Sequence, residues 1–522
     1  MIKLDLLHPN KIEVIFENKR EIAYLSNDFV VIDDTKITFK KHDEEVDVYL
    51  FSKESLIKHV YLYYEVDIPD DYLIFGDALE RGYGDLSWHK KNDQQMFWYL
   101  FVNDINNKNL LDLGVKVRPS SIVSYKIIEN ELRVDLNVSS GGSGVNLDGR
   151  TLLMGTFIYK EYRYIDLYSS MKDFVSLLMK GTKMLQTSHK IYGFNNWYYA
   201  YGKSSYSQII DDTKLLFKVT KGNRNRPYMV IDDCWSKYPC DGPWIPNDDF
   251  KDMKKLADEI KSFNIHPGIW VRPLRNSNEA LDVPRHPLNK ECFDPTTKEA
   301  KKQIYEDISR IVNWGYELIK FDYLTWDIYQ LFAFQMPEDL CEQGWRFKDN
   351  HYTNAEIIID IYKTIRKASK GAILIGCNTI SHLIAGLVEI NRVGDDTSGY
   401  DWSRTRKFGV NTLAFRMIQN DIFYTADADC VGIMGEKISW KQNKLWLDLL
   451  AKSHSPLFIS CDPYLVTDEI KNDLKEAFKI NEIQENDCKP ISWLEENYPS
   501  KWMIDNQEIS YNWYLFDDEE RK

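Results

Sequence analysis

Nowhere do the 522 residues approach the run of about 18 consecutive apolar positions that a membrane-crossing helix needs. The amino terminus, "MIKLDLLHPNKIEV", lacks a basic segment followed by an apolar run, so the expectation is a soluble, cytoplasmic protein with no membrane partner. Cysteine is sparse and scattered. The eight thiols form no Cys-x-x-Cys pair and no spacing with His that suggests zinc, so neither a metal nor a cofactor is implied. Positive charge is also short: 66 Lys and Arg stand against 80 Asp and Glu, a net charge of −14. That balance argues against nucleic acid or an anionic bilayer, which need clustered cations. What the chain does have is aromatic surface, with 15 Trp and 32 Tyr. With a hydrophobic fraction of 43%, that is ample for globular cores, and aromatic faces also serve as platforms for sugar rings.

Residues 1–168 show short alternating runs such as "KIEVIF", "DVYLF" and "VYLYYEVDI", broken by Gly, Asn and Asp, which predict an antiparallel β-sandwich. The pattern then changes. Over 169–465, strand-like runs at 192–201, 228–235, 266–274, 316–324, 372–379, 387–396, 422–430 and 455–463 alternate with amphipathic segments. Eight such repeats predict a (β/α)8 barrel, with chemistry at the strand C-terminal ends. Asn247 and Asn354 suit helix N-caps, Gly315 and Gly371 suit helix ends, and only "SHLIAG" links strands five and six. Residues 466–522 hold a last barrel helix and a short C-terminal β segment, too little for an independent domain.

Barrel strands are buried on both sides, so their polar residues belong at the rim. The stretch "WGYELIKFDYLTW" sets Lys320 and Asp322 two residues apart, on one face of strand four. Strand two ends in Asp232 and Asp233, strand three carries Trp270 and Arg272, and strand five carries Cys377 and Asn378. Arg392, Asp395 and Asp396 follow on strand six, and Asp427 and Asp429 on strand seven. Each pair alone reads equally well as a structural ion pair. Their convergence suits a neutral ligand rich in hydroxyls, bracketed by charged groups and covered by an indole. Cleaving a glycosidic bond requires two carboxyl groups in separate roles, and Asp322 with Asp395 or Asp396 fits that division.

The ordered set "IDDCW", "GIWVRP", "IKFDYL", "CNT" and "RVGDD" resembles glycoside hydrolase family 36, the α-galactosidases, which are related to family 27. The resemblance covers roughly 1–463. It implies Asp322 as nucleophile, Asp396 as acid/base, and Arg392 near the sugar 2-position. It also implies that Asp232 and Asp233 hold the 4- and 6-hydroxyls, with Trp197, Trp270, Lys320 and Cys377 lining the same subsite. "FGDALERGYGDLSW" looks like a sandwich loop that reaches the site, with Trp88 as a further wall. Four departures stand out: Cys234 where Gly is usual, Asp395 where many members have Pro, "DADC" in place of a more familiar Asp-Pro-Asp-Cys, and a C-terminal β domain that is almost absent.

The implied activity is a retaining, exo-acting α-glycosidase, an α-galactosidase acting on a small glycoside or oligosaccharide. In that scheme the Lys320 ammonium keeps Asp322 ionised, and Asp396 keeps its proton. A raffinose-synthase-like transglycosylase and an α-N-acetylgalactosaminidase are the near alternatives. A Schiff-base aldolase using Lys320 and a silent carbohydrate-binding protein are the distant ones. The preferred sugar, the aglycone and the oligomeric state are left open.

Overall fold

The computed structural model describes residues 4–25, 27–435, 437–483 and 488–515. Thirteen antiparallel strands make one continuous sheet, running by hydrogen bonds from Arg20–Ala23 at one end to Phe29–Ile32 at the other. Glu45–Ser52 alternates half-buried and buried along its length, as a strand with one face on a core must. Met96–Asp104, which pairs with three other strands, is buried throughout. The predicted sandwich is built from this one continuous hydrogen-bonded sheet.

The barrel strands are Tyr192–Asn195, Tyr228–Ile231, His266–Val271, Leu318–Phe321, Ile373–Gly376 and Ile390–Arg392, then a seventh in two pieces, Thr425–Asp427 and Cys430–Ile433, and Leu457–Cys461. All neighbours pair in parallel. The sixth strand pairs with the first piece of the seventh, and the eighth pairs with the second. The ring thus closes through the chain itself at Ala428 and Asp429. Between strands the helices bury one stripe. In Met253–Ser262 this is Met253, Leu256, Ala257 and Ile260, a spacing of three and four. Strands five and six are joined by only Ser381–Ile384.

Two expected N-caps are displaced. Thr353, not Asn354, caps Asn354–Ala368, because Glu356 three residues on returns a bond to the Thr353 backbone and completes a capping box. Asp252, not Asn247, caps Met253–Ser262, and Asn247 instead accepts from the backbone of Asp249 and Phe250. Gly315 and Gly371 take left-handed φ values of 99° and 93° at helix ends, as expected. The C-terminal segment forms a three-stranded sheet, Cys488–Pro490, Lys501–Ile504 and Gln507–Ser510, that packs on the barrel. The Trp513 carbonyl accepts from Trp402 and Arg406, while Trp493 lies against Phe75, Trp88 and Phe415. Trp88 is therefore part of the seam between sheet, barrel and C-terminal segment, and does not wall the site. Among the described residues no helix is long and apolar enough to cross a membrane.

One barrel helix carries a buried charge problem. Asp212, in Tyr206–Val219, is almost fully buried; one oxygen accepts from the Tyr199 hydroxyl at 2.5 Å and the other has no hydrogen-bond partner among the described residues. Burial pushes its carboxyl up to about 8. A carboxyl whose folded value is raised penalises the fold increasingly as pH climbs from the unfolded value toward that raised one, by about 1.4 kcal/mol per unit at most. Asp212→Asn should therefore raise Tm by several degrees at pH 8 and give almost no gain near pH 4. An equal gain at both pH values in parallel melting curves would contradict the burial argument.

Candidate active site

Three strand ends share a local device. At strands two, four and seven a carboxylate accepts from a backbone N–H just downstream, which fixes its rotamer. Asp232 takes the N–H of Asp233 at 2.9 Å, Asp233 that of Cys234 at 2.6 Å, Asp322 that of Tyr323 at 2.7 Å, and Asp427 that of Asp429 at 2.9 Å. Sharp turning accompanies it. Cys234, Tyr323, Asn378 and Asp429 have φ of 75°, 62°, 51° and 77°, the left-handed region that costs a non-glycine residue energy. Strain repeated at four strand ends marks this face as one where geometry is bought at the expense of stability.

Asp322 is half-buried, and its second oxygen accepts from the Trp270 indole at 3.2 Å. Trp270 itself is buried, with its ring 5.9 Å from that of Trp244. Its indole N–H is committed to Asp322. Trp197 is the half-buried indole, its ring 5.3 Å from the exposed Tyr201.

Lys320 corrects one expectation. Its ammonium sits 2.8 Å from Asp232, whose same oxygen also accepts from Asn195 at 2.7 Å. The ammonium therefore pairs with Asp232 and reaches Asp322 only through space. Burial alone would lower its pKa, but Asp232 and, more weakly, Asp322 hold it well above the ordinary lysine value. Asp233 spends one oxygen on the N–H groups of Cys234 and Cys240, at 2.6 and 2.8 Å, and burial pushes its carboxyl up to about 6. Cys377 is buried; burial, then Asp322, push its thiol well above the usual value.

Arg392, buried under the site, bridges two carboxylates: Asp396 at 3.0 Å and Asp429 at 2.9 Å. Asp429 is further held by the N–H and hydroxyl of Thr397, at 2.8 and 3.1 Å, and by the Tyr198 hydroxyl. A buried guanidinium thus stands directly against Asp396. The Asp396 side chain is 37% exposed. What burial it has would raise its pKa, but the charges of Arg392, Arg81 and Lys320 outweigh this and hold the carboxyl below the usual range. Asp427, more deeply buried, is pushed up to about 6 by burial, and Asp429 adds to the rise.

The loop "FGDALERGYGDLSW" also brings in two charged residues that no local pattern marks, Glu80 and Arg81. Glu80 is fully buried and accepts from Asn378 at 2.8 Å; Arg81 meets Asp395 at 3.0 Å. The structure thus brings Asp232, Asp233, Trp270, Lys320, Asp322, Cys377, Arg392 and Asp396 to one end of the barrel, with Trp197 at the edge. Arg272 stands apart, locked to the buried Asp327 by two bonds from Nε at 3.0 and 3.1 Å.

No family model matches the sequence, and no curated protein matches it. Solved structures do match in fold. The α-galactosidase TtGalA from Thermus thermophilus, bound to p-nitrophenyl α-D-galactopyranoside, aligns with a TM-score of 0.63 at 14% identity, covering 91% of this chain and 97% of its own. The GH36 α-galactosidase AgaA from Geobacillus stearothermophilus aligns at 0.62 and 12%, covering 90% of this chain and 71% of its own. An α-galactosidase from Lactobacillus brevis gives 0.60 and 11%, with 96% and 75% covered. At these identities, what this chain shares with them is the arrangement of a large β domain ahead of a (β/α)8 barrel.

Proposed function

We propose that the chain is a retaining, exo-acting α-glycosidase that removes terminal α-galactosyl units through a covalent glycosyl–Asp322 intermediate. The observation that carries this reading is that Asp322 and Asp396 follow strands four and six, the two parallel neighbours of strand five, so that both carboxylates stand at the same end of the barrel. The Tyr323 phenol is pushed up by burial first, then by Asp322, and also by Asp396. Fold neighbours crystallised with p-nitrophenyl α-D-galactopyranoside and stachyose support the choice of sugar.

In the first half-reaction a carboxylate oxygen of Asp322 attacks the anomeric carbon while Asp396 delivers a proton to the departing oxygen. The Trp270 indole N–H and the Tyr323 backbone N–H hold the nucleophile in line. In the second half, Asp396 removes a proton from water, which attacks the same carbon and frees Asp322. Because Arg392 and Arg81 favour the carboxylate form of Asp396, the proton it must carry is lost early as pH rises. The basic limb of kcat/KM therefore belongs on the acidic side of neutrality.

The test is a panel of aryl α-glycosides differing at the 2- and 4-positions, with product anomers followed by NMR. Turnover of the α-galactoside with the α-anomer appearing first is expected. Initial β-anomer would eliminate the double displacement. Preference for the 2-acetamido sugar would transfer the reading to an N-acetylgalactosaminidase, and build-up of longer oligosaccharides would transfer it to a transglycosylase.

A further inference from the structure

The loop that follows strand Leu73–Asp77 of the large sheet does more than touch the barrel. Its backbone is stitched to the end of strand six, with the Gly82 N–H donating to the Val393 carbonyl at 2.8 Å and the Asp395 N–H donating to the Gly82 carbonyl at 3.1 Å. Just upstream of that stitch, buried Arg416 bonds Asp77 at 2.8 Å and Asn378 donates to Glu80 at 2.8 Å. Arg81 is thus delivered beside the neighbouring aspartates Asp395 and Asp396 on a rigid mount. It is itself buried, with Nη2 3.0 Å from Asp395 and its guanidinium 5.6 and 5.8 Å from the rings of Tyr83 and Phe332.

We propose that Arg81, carried into the centre by the β domain, is a positioning residue that pairs with Asp395 and through that pair governs the acid/base carboxyl of Asp396. The inference rests on the function proposed above. Asp395 is a third carboxylate crowding the acid/base, and without a counterion two adjacent carboxylates resist sharing charge. Arg81 resolves the conflict by engaging Asp395, which leaves Asp396 to Arg392.

The groups facing Asp396 come from every element around it. Arg392 contributes from strand six, Lys320 from strand four, Arg81 from the sheet loop, Tyr198 and Tyr201 from the turn after strand one, and Tyr323 from the turn after strand four. Arg404 donates from Nε to the Asp396 carbonyl at 3.0 Å, and its Nη2 is 4.0 Å from Asp395. Of the three cations acting on the Asp396 carboxyl, Arg392 is committed to Asp429 as well and Lys320 to Asp232. Only Arg81 is balanced by Asp395, so the two members of that pair should act on Asp396 with opposite signs.

The experiment follows the basic limb of kcat/KM and, separately, the carboxyl 13C titration of Asp396 in protein labelled at aspartate, assigned by its absence in Asp396→Asn. Arg81→Met should raise both by about one pH unit, Arg81→Lys should leave them near wild type, and Asp395→Asn should lower them, because Arg81 then faces Asp396 unbalanced. A residue that merely braces the fold would depress all three variants without moving the titration, and that result would overturn the proposal. So would shifts of the same sign in Arg81→Met and Asp395→Asn. Should Arg81→Met fail to fold, the Lys and Asn variants still carry the comparison. If the wild type cleaves no glycoside, the proposed function fails while the 13C titration still decides the role of Arg81.

Discussion

Asp322→Gly should lose at least about 10⁴-fold in kcat/KM on an aryl α-galactoside, and azide should restore a large part of that loss by forming a β-galactosyl azide. The small anion enters the space vacated by the carboxylate and attacks the anomeric carbon in its place. Asp396→Ala should lose about 10²–10⁴-fold, the usual worth of one acid/base group, and the loss should shrink with aryl leaving groups that need no proton. Azide then acts on the far side of the reaction: it can replace water against the accumulated glycosyl-enzyme and gives the α-azide. The product anomer, read by NMR, therefore separates the two roles. A fully active Asp396→Ala together with a dead Asp395→Ala would move the acid/base one residue upstream. It would also make the contact of Arg81 with Asp395 at 3.0 Å a contact with the catalytic group itself.

Much of this centre was legible because a parallel barrel simplifies its own grammar. Strands of three or four mostly buried residues leave no place for Asp232, Asp322, Arg392 or Asp427 except at their C-terminal ends, and all are found there. What could not be read is which partner each side chain takes. Alternation places Lys320 and Asp322 on one face, yet the ammonium swings to Asp232 on strand two, where a second carboxylate lies within 2.8 Å. Trp270 has the right strand position for a sugar platform, and the sequence does not show that its indole N–H is taken by Asp322 or that Trp244 packs edge-on to its ring. Arg81 was illegible for a different reason. Its link to Asp395 depends on how the sheet docks on the barrel, through the bonds Gly82 makes around Gly394, and no local pattern encodes that register. The helix cap, by contrast, was available in "TNAE": Thr353 with Glu356 three residues on is a capping-box signal stronger than the neighbouring Asn354.

Arg392→Met should destabilise the chain by about 3–5 kcal/mol at neutral pH, the cost of removing one partner from a buried ion network. Arg392 is almost completely buried and serves two carboxylates at once, so its loss strips Asp429, itself buried, and Asp396 together. The sign of the pH dependence follows from Asp396. Its carboxyl lies below the usual range in the native protein, so it contributes stability above the unfolded carboxylate value and loses it as pH falls through the folded one. The variant has no such contribution to lose, and protonated carboxyls need no counterion, so the gap between wild type and variant should narrow toward pH 4. Arg392→Lys, which restores one charge but cannot reach both carboxylates with a planar fork, should fall between them. Urea midpoints of the three proteins at pH 7 and pH 4.5 make the comparison. A gap at pH 7 under about 1 kcal/mol, in the range of an exposed pair, or one that stays constant with pH, would mean that Arg392 holds substrate without holding the barrel end together.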